Sequence, residues 1–235
     1  MKSNYEDRAR PYLTRRTPVI IRVDGRAFHT LTKSADKPFD LRIIDAMLSS
    51  AKELAEQMQG FKAGYVQSDE ASYLLTDYDA IDTEAWFDYN QQKITTISAS
   101  MMSVAFNLSE DYRAYRQSRL NQNCTRALFD ARAFNIPETE VANYFLWRAK
   151  DWERNGINMF ARYHYSHKQL HGKSKAATLE MLERDGHRWS EQYDEVKHGS
   201  WISRGEGGIR HQTDVQPTYQ SINTWLGPIL EDSKR

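Results

Sequence analysis

The chain has 235 residues, 40% hydrophobic and 27% charged, and its 32 basic and 32 acidic side chains balance to a formal net charge of zero. That composition excludes a disordered chain and a globally basic nucleic-acid binder, and suits one large domain or a core with a C-terminal extension. A single cysteine, Cys124, excludes an intrachain disulfide and a Cys-rich zinc site, and with no apolar run near the ~20 residues of a membrane span and no apolar signal region after Met1 the expected compartment is the cytoplasm.

In chain order, Pro18 to Val23 is β-branched and predicts a strand ending at Asp24. A loop through Lys33, Lys37 and Pro38 leads to Asp40, a helix N-cap, and the following run carries Ile43, Met47, Ala51, Leu54 and Met58 at helical spacing up to Gly60, a C′ residue. Lys62 to Gln67 and Ala71 to Thr76 predict a hairpin with Ser68-Asp69-Glu70 at its bend. A second helix is expected from near Gln92 to Phe106, and a fourth strand from Ala127 to Phe134. This is the βαββαβ order of a ferredoxin-like, polymerase-palm core, an α+β fold, expected over residues 1–135. Residues 136–235 read as a mostly helical extension packed on that core as one domain. It opens at Pro137, has N-caps at Ser166 and Ser174, turns to mixed strand and loop after Gly199, and ends in an irregular tail from Gly205.

In the palm order, the first strand is antiparallel to the hairpin, which brings Asp24 and Asp69 to one end of the sheet. Carboxylates this close repel one another, and a hard divalent cation such as Mg²⁺ is the simplest stabiliser of the pair. Two Mg²⁺ ions held by Asp24, Asp69 and the Gly25 carbonyl would suit phosphoryl transfer. Glu70 has three open readings: a metal ligand, a support for the ligands, or a solvated charge at the hairpin tip. Residues Gly25, Arg26, Ala27, Phe28 and His29 form a loop whose backbone N–H groups suit a triphosphate. Lys33, Lys37 and Lys93 are candidate phosphate contacts, each also readable as a solvated surface charge. The stretch holding Arg162, His167, Lys168, His171 and Lys173 is the strongest local basic patch and the expected RNA surface. Tyr144, Phe145, Trp147 and Trp152 read as helix core.

The chain resembles the tRNA-His guanylyltransferase superfamily, the 3′–5′ nucleotide-adding enzymes, in six motifs. They are Arg22-Val-Asp-Gly-Arg-Ala-Phe-His29, Lys37-Pro-Phe-Asp40, Ser68-Asp-Glu-Ala-Ser72, Gln92-Lys93-Ile94, Phe129-Asp-Ala-Arg132 and Tyr144-Phe-Leu-Trp-Arg-Ala-Lys-Asp151. The resemblance implies a palm-like fold, two Mg²⁺ ions on Asp24 and Asp69 with Glu70 beside them, and ATP, GTP or other NTPs as substrates. It adds Asp40, Ser68 and Arg132 to Lys37, Lys93 and the Gly25 loop as nucleotide contacts. It implies activation of a tRNA 5′-monophosphate, attack by the 3′-hydroxyl of an incoming NTP, and a homotetramer. Glu153-Arg154-Asn155-Gly156 stands where the eukaryotic branch has His-Ile-Asn-Asn, and Tyr89-Asn90 where it has paired arginines. Both departures resemble the bacterial-type proteins, which favour templated repair of tRNA 5′ ends; dedicated addition of a guanylate at position −1 is the alternative. A palm-fold nucleotide cyclase or phosphohydrolase would need the same acids without RNA, and a non-catalytic RNA binder would need neither acids nor loop.

Overall fold

The computed structural model describes residues 1–118 and 126–231; Cys124 lies outside them. Strand β1 (Val19–Gly25) is followed by a single helical turn α1 (Phe28–Leu31), helix α2 (Leu41–Gln57), and the hairpin β2 (Phe61–Gln67) and β3 (Glu70–Leu75). Then come α3 (Gln91–Leu108), α4 (Glu110–Gln117) and β4 (Phe129–Asn135). The second half supplies α5 (Val141–His164), the short α6 (His167–Leu170), α7 (Lys175–Arg184), α8 (Asp194–His198), the hairpin β5 (Ser200–Gly205) and β6 (Gly208–Gln212), and α9 (Tyr219–Glu231).

The sheet is antiparallel throughout, in the order β4-β1-β3-β2-β5-β6. Its first four strands carry the expected palm order. The period-2 alternation of β1 sorts its side chains between two cores. Val19, Ile21 and Val23 pack under α2 and α3 with Met47, Leu54 and Phe106. Ile20 packs on the opposite face with Phe145, Trp201 and Leu226 from α5, β5 and α9. Arg22 and Asp24 continue the Ile20 alternation, so the polar end of β1 faces α5. No described helix is long and apolar enough to cross a membrane.

Local signals mostly hold. Asp40 caps α2 by accepting from the Arg42 N–H at 3.2 Å, Asn90 caps α3, and Ser166 and Ser174 cap α6 and α7. Gly60 lies beyond the cap residue Met58, in the turn into β2. Its φ is +77° and a Cβ there would sit 2.3 Å from the Thr76 carbonyl oxygen, so the turn needs glycine.

The largest departure lies after Gly199. The segment expected as an irregular tail supplies strand β6 and helix α9. Trp201 on β5 pairs in register with Tyr65 of β2, and Ile222 and Leu226 of α9 are buried in the second core. The glycines of the β5–β6 turn and Pro228 inside α9 disguise both elements.

Candidate active site

Asp24 lies next to the last residue of β1 and is directly opposite Glu70 across the β1–β3 pair. The turn between β2 and β3 is Ser68-Asp69, with Ser68 in the left-handed region at φ 50°, a conformation that costs of order 1 kcal/mol outside glycine. The Gly25 N–H donates to the Asp69 carbonyl at 2.9 Å, which ties the strand end to the turn. Asp24 and Asp69 thereby line one cleft of about 380 Å³, together with Glu70, Arg148, Asn155 and Arg162. Burial, with the charges of Asp24 and Glu70 adding and the Ser68 hydroxyl opposing, pushes the Asp69 carboxyl up to about 6. A divalent cation there would offset the cost of holding Asp69 ionised beside Asp24.

Glu70 is only 5% exposed, and both its oxygens are held by Arg148, from Nε at 2.7 Å and from Nη2 at 2.6 Å. The solvated-tip reading is excluded, and this geometry fits a carboxylate that supports the site. Among the described residues no three His, Cys, Asp or Glu side chains converge to cage a metal. Two carboxylates and the Gly25 carbonyl suit Mg²⁺, which keeps several waters and takes the rest of its shell from substrate phosphates.

A second cleft of about 500 Å³ shares the Ser68-Asp69 turn with the first. Gly25, Ala27, Phe28, His29, Lys37, Asp40, Ser68 and Asp69 line it, with an apolar wall from Phe39, Ile43, Trp152 and Met159. The loop is tighter than a free cradle. The Arg26 N–H is taken by the Leu128 carbonyl at 2.8 Å and that of Gly25 by Asp69. Among the described residues the N–H groups of Ala27, Phe28 and His29 have no such backbone partner, and the left-handed Ala27 at φ 53° positions them. A Cβ at Gly25 would meet the Phe28 ring at 2.3 Å. Asp40 accepts from Arg42 Nε at 2.9 Å and Nη2 at 2.7 Å. Burial raises the Asp40 carboxyl, but Arg42 outweighs it and holds it below the usual range.

Four of the expected contacts sit apart from the clefts. Arg26 and Lys33 are exposed and line neither. Arg132 reaches the acids from β4, its Nη1 lying 3.7 Å from Asp24. Lys93 stands over the Phe87 ring at 4.9 Å. The C-terminal half of α3 lies by the acid end of β4, where Ser103 Oγ accepts from the Phe129 N–H, while Gln91 bonds the Ala133 carbonyl. Lys93 is thus about 15 Å along the axis from Ser103 at ~1.5 Å per residue, away from the acids. Of the basic patch, Arg162 lines the acid cleft, while His167, Lys168, His171 and Lys173 are exposed beyond the end of α5.

Sequence reasoning missed the role of α5. Tyr144, Arg148, Asn155, Met159 and Arg162 recur at helical spacing along one face over the clefts, with Tyr144 Oη 2.8 Å from Ser72 Oγ and Trp152 shared by both clefts. The spacing was visible; the neighbour that gives it meaning was not.

The model of the tRNAHis guanylyltransferase family matches residues 1–137. The chain belongs to this family. It is 31% identical over 148 residues to the tRNA(His) guanylyltransferase of Debaryomyces hansenii, covering 60% of this chain and 52% of that one. This family member thus spans about half the length of the curated relatives it matches. Two solved structures of a bacterial guanylyltransferase-like kind match nearly end to end. One, in complex with ATP, is 36% identical with a TM-score of 0.87 over 97% of this chain and 96% of its own. The other, in complex with GTP, is 32% identical with a TM-score of 0.77 over 98% and 96%. The Saccharomyces cerevisiae guanylyltransferase shares the fold, with a TM-score of 0.73 over 90% of this chain and 96% of its own, at 19% identity.

Proposed function

We propose that the protein is a Mg²⁺-dependent 3′–5′ nucleotidyltransferase that adds nucleotides to the 5′ end of tRNA, guided by the opposing strand. The observation that carries this reading is the meeting of Asp24 and Asp69 where the acid cleft joins a nucleotide-sized cleft with an apolar wall.

Two chemical steps follow. An oxygen of the tRNA 5′-monophosphate attacks the α-phosphorus of ATP or GTP; the new P–O–P bond forms as pyrophosphate leaves. The 3′-hydroxyl of an incoming NTP then attacks the tRNA 5′-phosphorus, the nucleoside monophosphate leaves, and the hydroxyl proton is lost. Mg²⁺ held by Asp24, Asp69 and the Gly25 carbonyl would stabilise the charge that develops on the phosphoryl oxygens. The chain's own groups do the rest. Phe39, Ile43 and Trp152 wall the slot for a base, and the N–H groups of Ala27 to His29 face the phosphates with Lys37. Arg148 fixes Glu70, and through the β1–β3 pairing the level of Asp24. Ser68 and Asp40 complete the proposed nucleotide contacts in the larger cleft, and Arg162 with the exposed stretch from His167 to Lys173 supplies the RNA contacts.

What supports templated repair over dedicated guanylate addition is the higher identity, 36% and 32% over nearly the whole chain, to the bacterial guanylyltransferase-like structures. Position 153, His in the eukaryotic motif, holds a Glu paired to Lys175 at 2.6 Å. The proposed assembly is a cytoplasmic homotetramer, for which exposed Val104, Leu108 and Leu128 offer apolar surface.

The test uses tRNAs lacking their first nucleotide, with the opposing acceptor-stem base varied. The added nucleotide should follow the complement of each base. Guanylate addition whatever the opposing base would return the protein to the dedicated branch.

A further inference from the structure

Trp147 is the exception on the α5 face. The residue is 55% exposed, yet its ring is held in place. The Arg148 guanidinium carbon lies 4.5 Å from its centroid, that of Arg22 6.0 Å, and the Tyr144 ring meets it edge-on at 5.9 Å. A large aromatic fixed by neighbours but left open to solvent has the character of a platform rather than of core.

The charge around it points to the occupant. Arg22 and Arg132 are direct partners across the β1–β4 pair, and like charges opposite one another destabilise a sheet unless an anion joins them. The Nε of Arg22 is buried with no hydrogen-bond partner among the described residues. Arg132 reaches Asp24 and Asp130 only at 3.7 and 3.4 Å. Lys150, one helical turn from Trp147, is exposed. Trp147 lines neither cleft, so it stands on the Asp24 face of the sheet but outside the proposed nucleotide slot.

We infer that Trp147 is a stacking platform for a base at the end of the RNA acceptor stem, with Arg22 and Arg132 receiving its phosphate. This rests on the proposed tRNA substrate and adds where the RNA end sits. Stacking is sequence-tolerant, because every base has a π-face; that suits an enzyme whose base choice comes from a template. Cationic flanks on an exposed ring favour RNA over an apolar protein segment.

The test needs no catalysis. A 5′-phosphorylated acceptor-stem duplex lacking its first nucleotide is titrated, without NTP, into wild type, Trp147→Ala, Trp147→Leu and Trp147→Phe. Affinity is read by anisotropy of the labelled RNA and by quenching of tryptophan fluorescence. Trp147→Ala should weaken binding about ten- to a hundredfold, Phe should restore most of it and Leu little. RNA-induced quenching should shrink in the Phe variant, and ATP affinity should stay unchanged in all. If wild type binds and Trp147→Ala binds equally well, the inference is overturned while the proposed substrate stands. Equal rescue by Leu and Phe would also overturn it, marking an apolar contact without stacking. Failure of wild type to bind RNA would overturn the inference and the substrate reading together.

Discussion

Arg148 holds both oxygens of Glu70 in a buried, two-point ion pair at 2.7 and 2.6 Å, next to the turn that carries Asp69. A helix of the second half thereby locks the strand end on which the acid site is built. Removing either partner leaves the other charge buried and unpaired, which costs about 3–5 kcal/mol. We expect Glu70→Ala and Arg148→Ala each to lower the melting temperature by about 10 °C. The double variant should fall well short of the sum. Additive losses in the thermal scans would show that the pair acts as two independent charges.

Asp69 predicts an opposed dependence on pH and metal. Its folded-state value of about 6 lies above the ~3.9 of an unfolded Asp. Between these values the folded protein keeps a proton that the unfolded chain has lost, so metal-free stability falls as pH rises from about 4 to 6. At pH 8 without metal, Asp69→Asn should melt above wild type. Mg²⁺ should raise the melting temperature of wild type at pH 8, raise it less below pH 6, and leave Asp69→Asn unmoved. An Asn variant that melts lower and still responds to Mg²⁺ would remove Asp69 from the metal site.

The basic patch separates into two parts. Arg162 lines the acid cleft, whereas His167, Lys168 and Lys173 are exposed beyond α5. Replacing the last three with Ala should weaken tRNA binding and flatten its salt dependence, with NTP affinity unchanged. Arg162→Ala should also slow nucleotide addition at saturating tRNA. If the triple variant keeps the wild-type salt slope, the RNA surface lies elsewhere.

Much of the palm was legible because local and global signals agree there. A β-branched run stops at Asp24, an Asx cap starts α2, and two strand-like runs flank Ser68-Asp69. The order of these elements by itself brings the two acids to one end of the sheet. Lys93 shows where such reasoning stops. It does sit in the first turn of α3 behind a capping Asn90, but the direction in which α3 crosses the sheet carries it to the far end. The sequence left the tip-charge reading of Glu70 open because the residue that buries it, Arg148, is 78 positions away. Strand β6 and helix α9 were hidden because glycines at the turn and Pro228 outweigh, in a local reading, the buried Ile222 and Leu226 that only packing on Trp201 reveals.

The central claim is that Asp24 and Asp69 together hold the metal ions for nucleotide addition at an RNA 5′ end. Its most direct test is single-turnover extension of a 5′-truncated, 5′-phosphorylated tRNA with Mg²⁺ and all four NTPs. Wild type, Asp24→Ala and Asp69→Ala are compared after each is shown to be folded by circular dichroism. Loss of transition-state charge stabilisation commonly slows a reaction ~10²-fold or more. Wild type should lengthen the RNA at its 5′ end, and both variants should fall by at least that factor. A folded variant that extends the RNA at close to the wild-type rate would contradict the account.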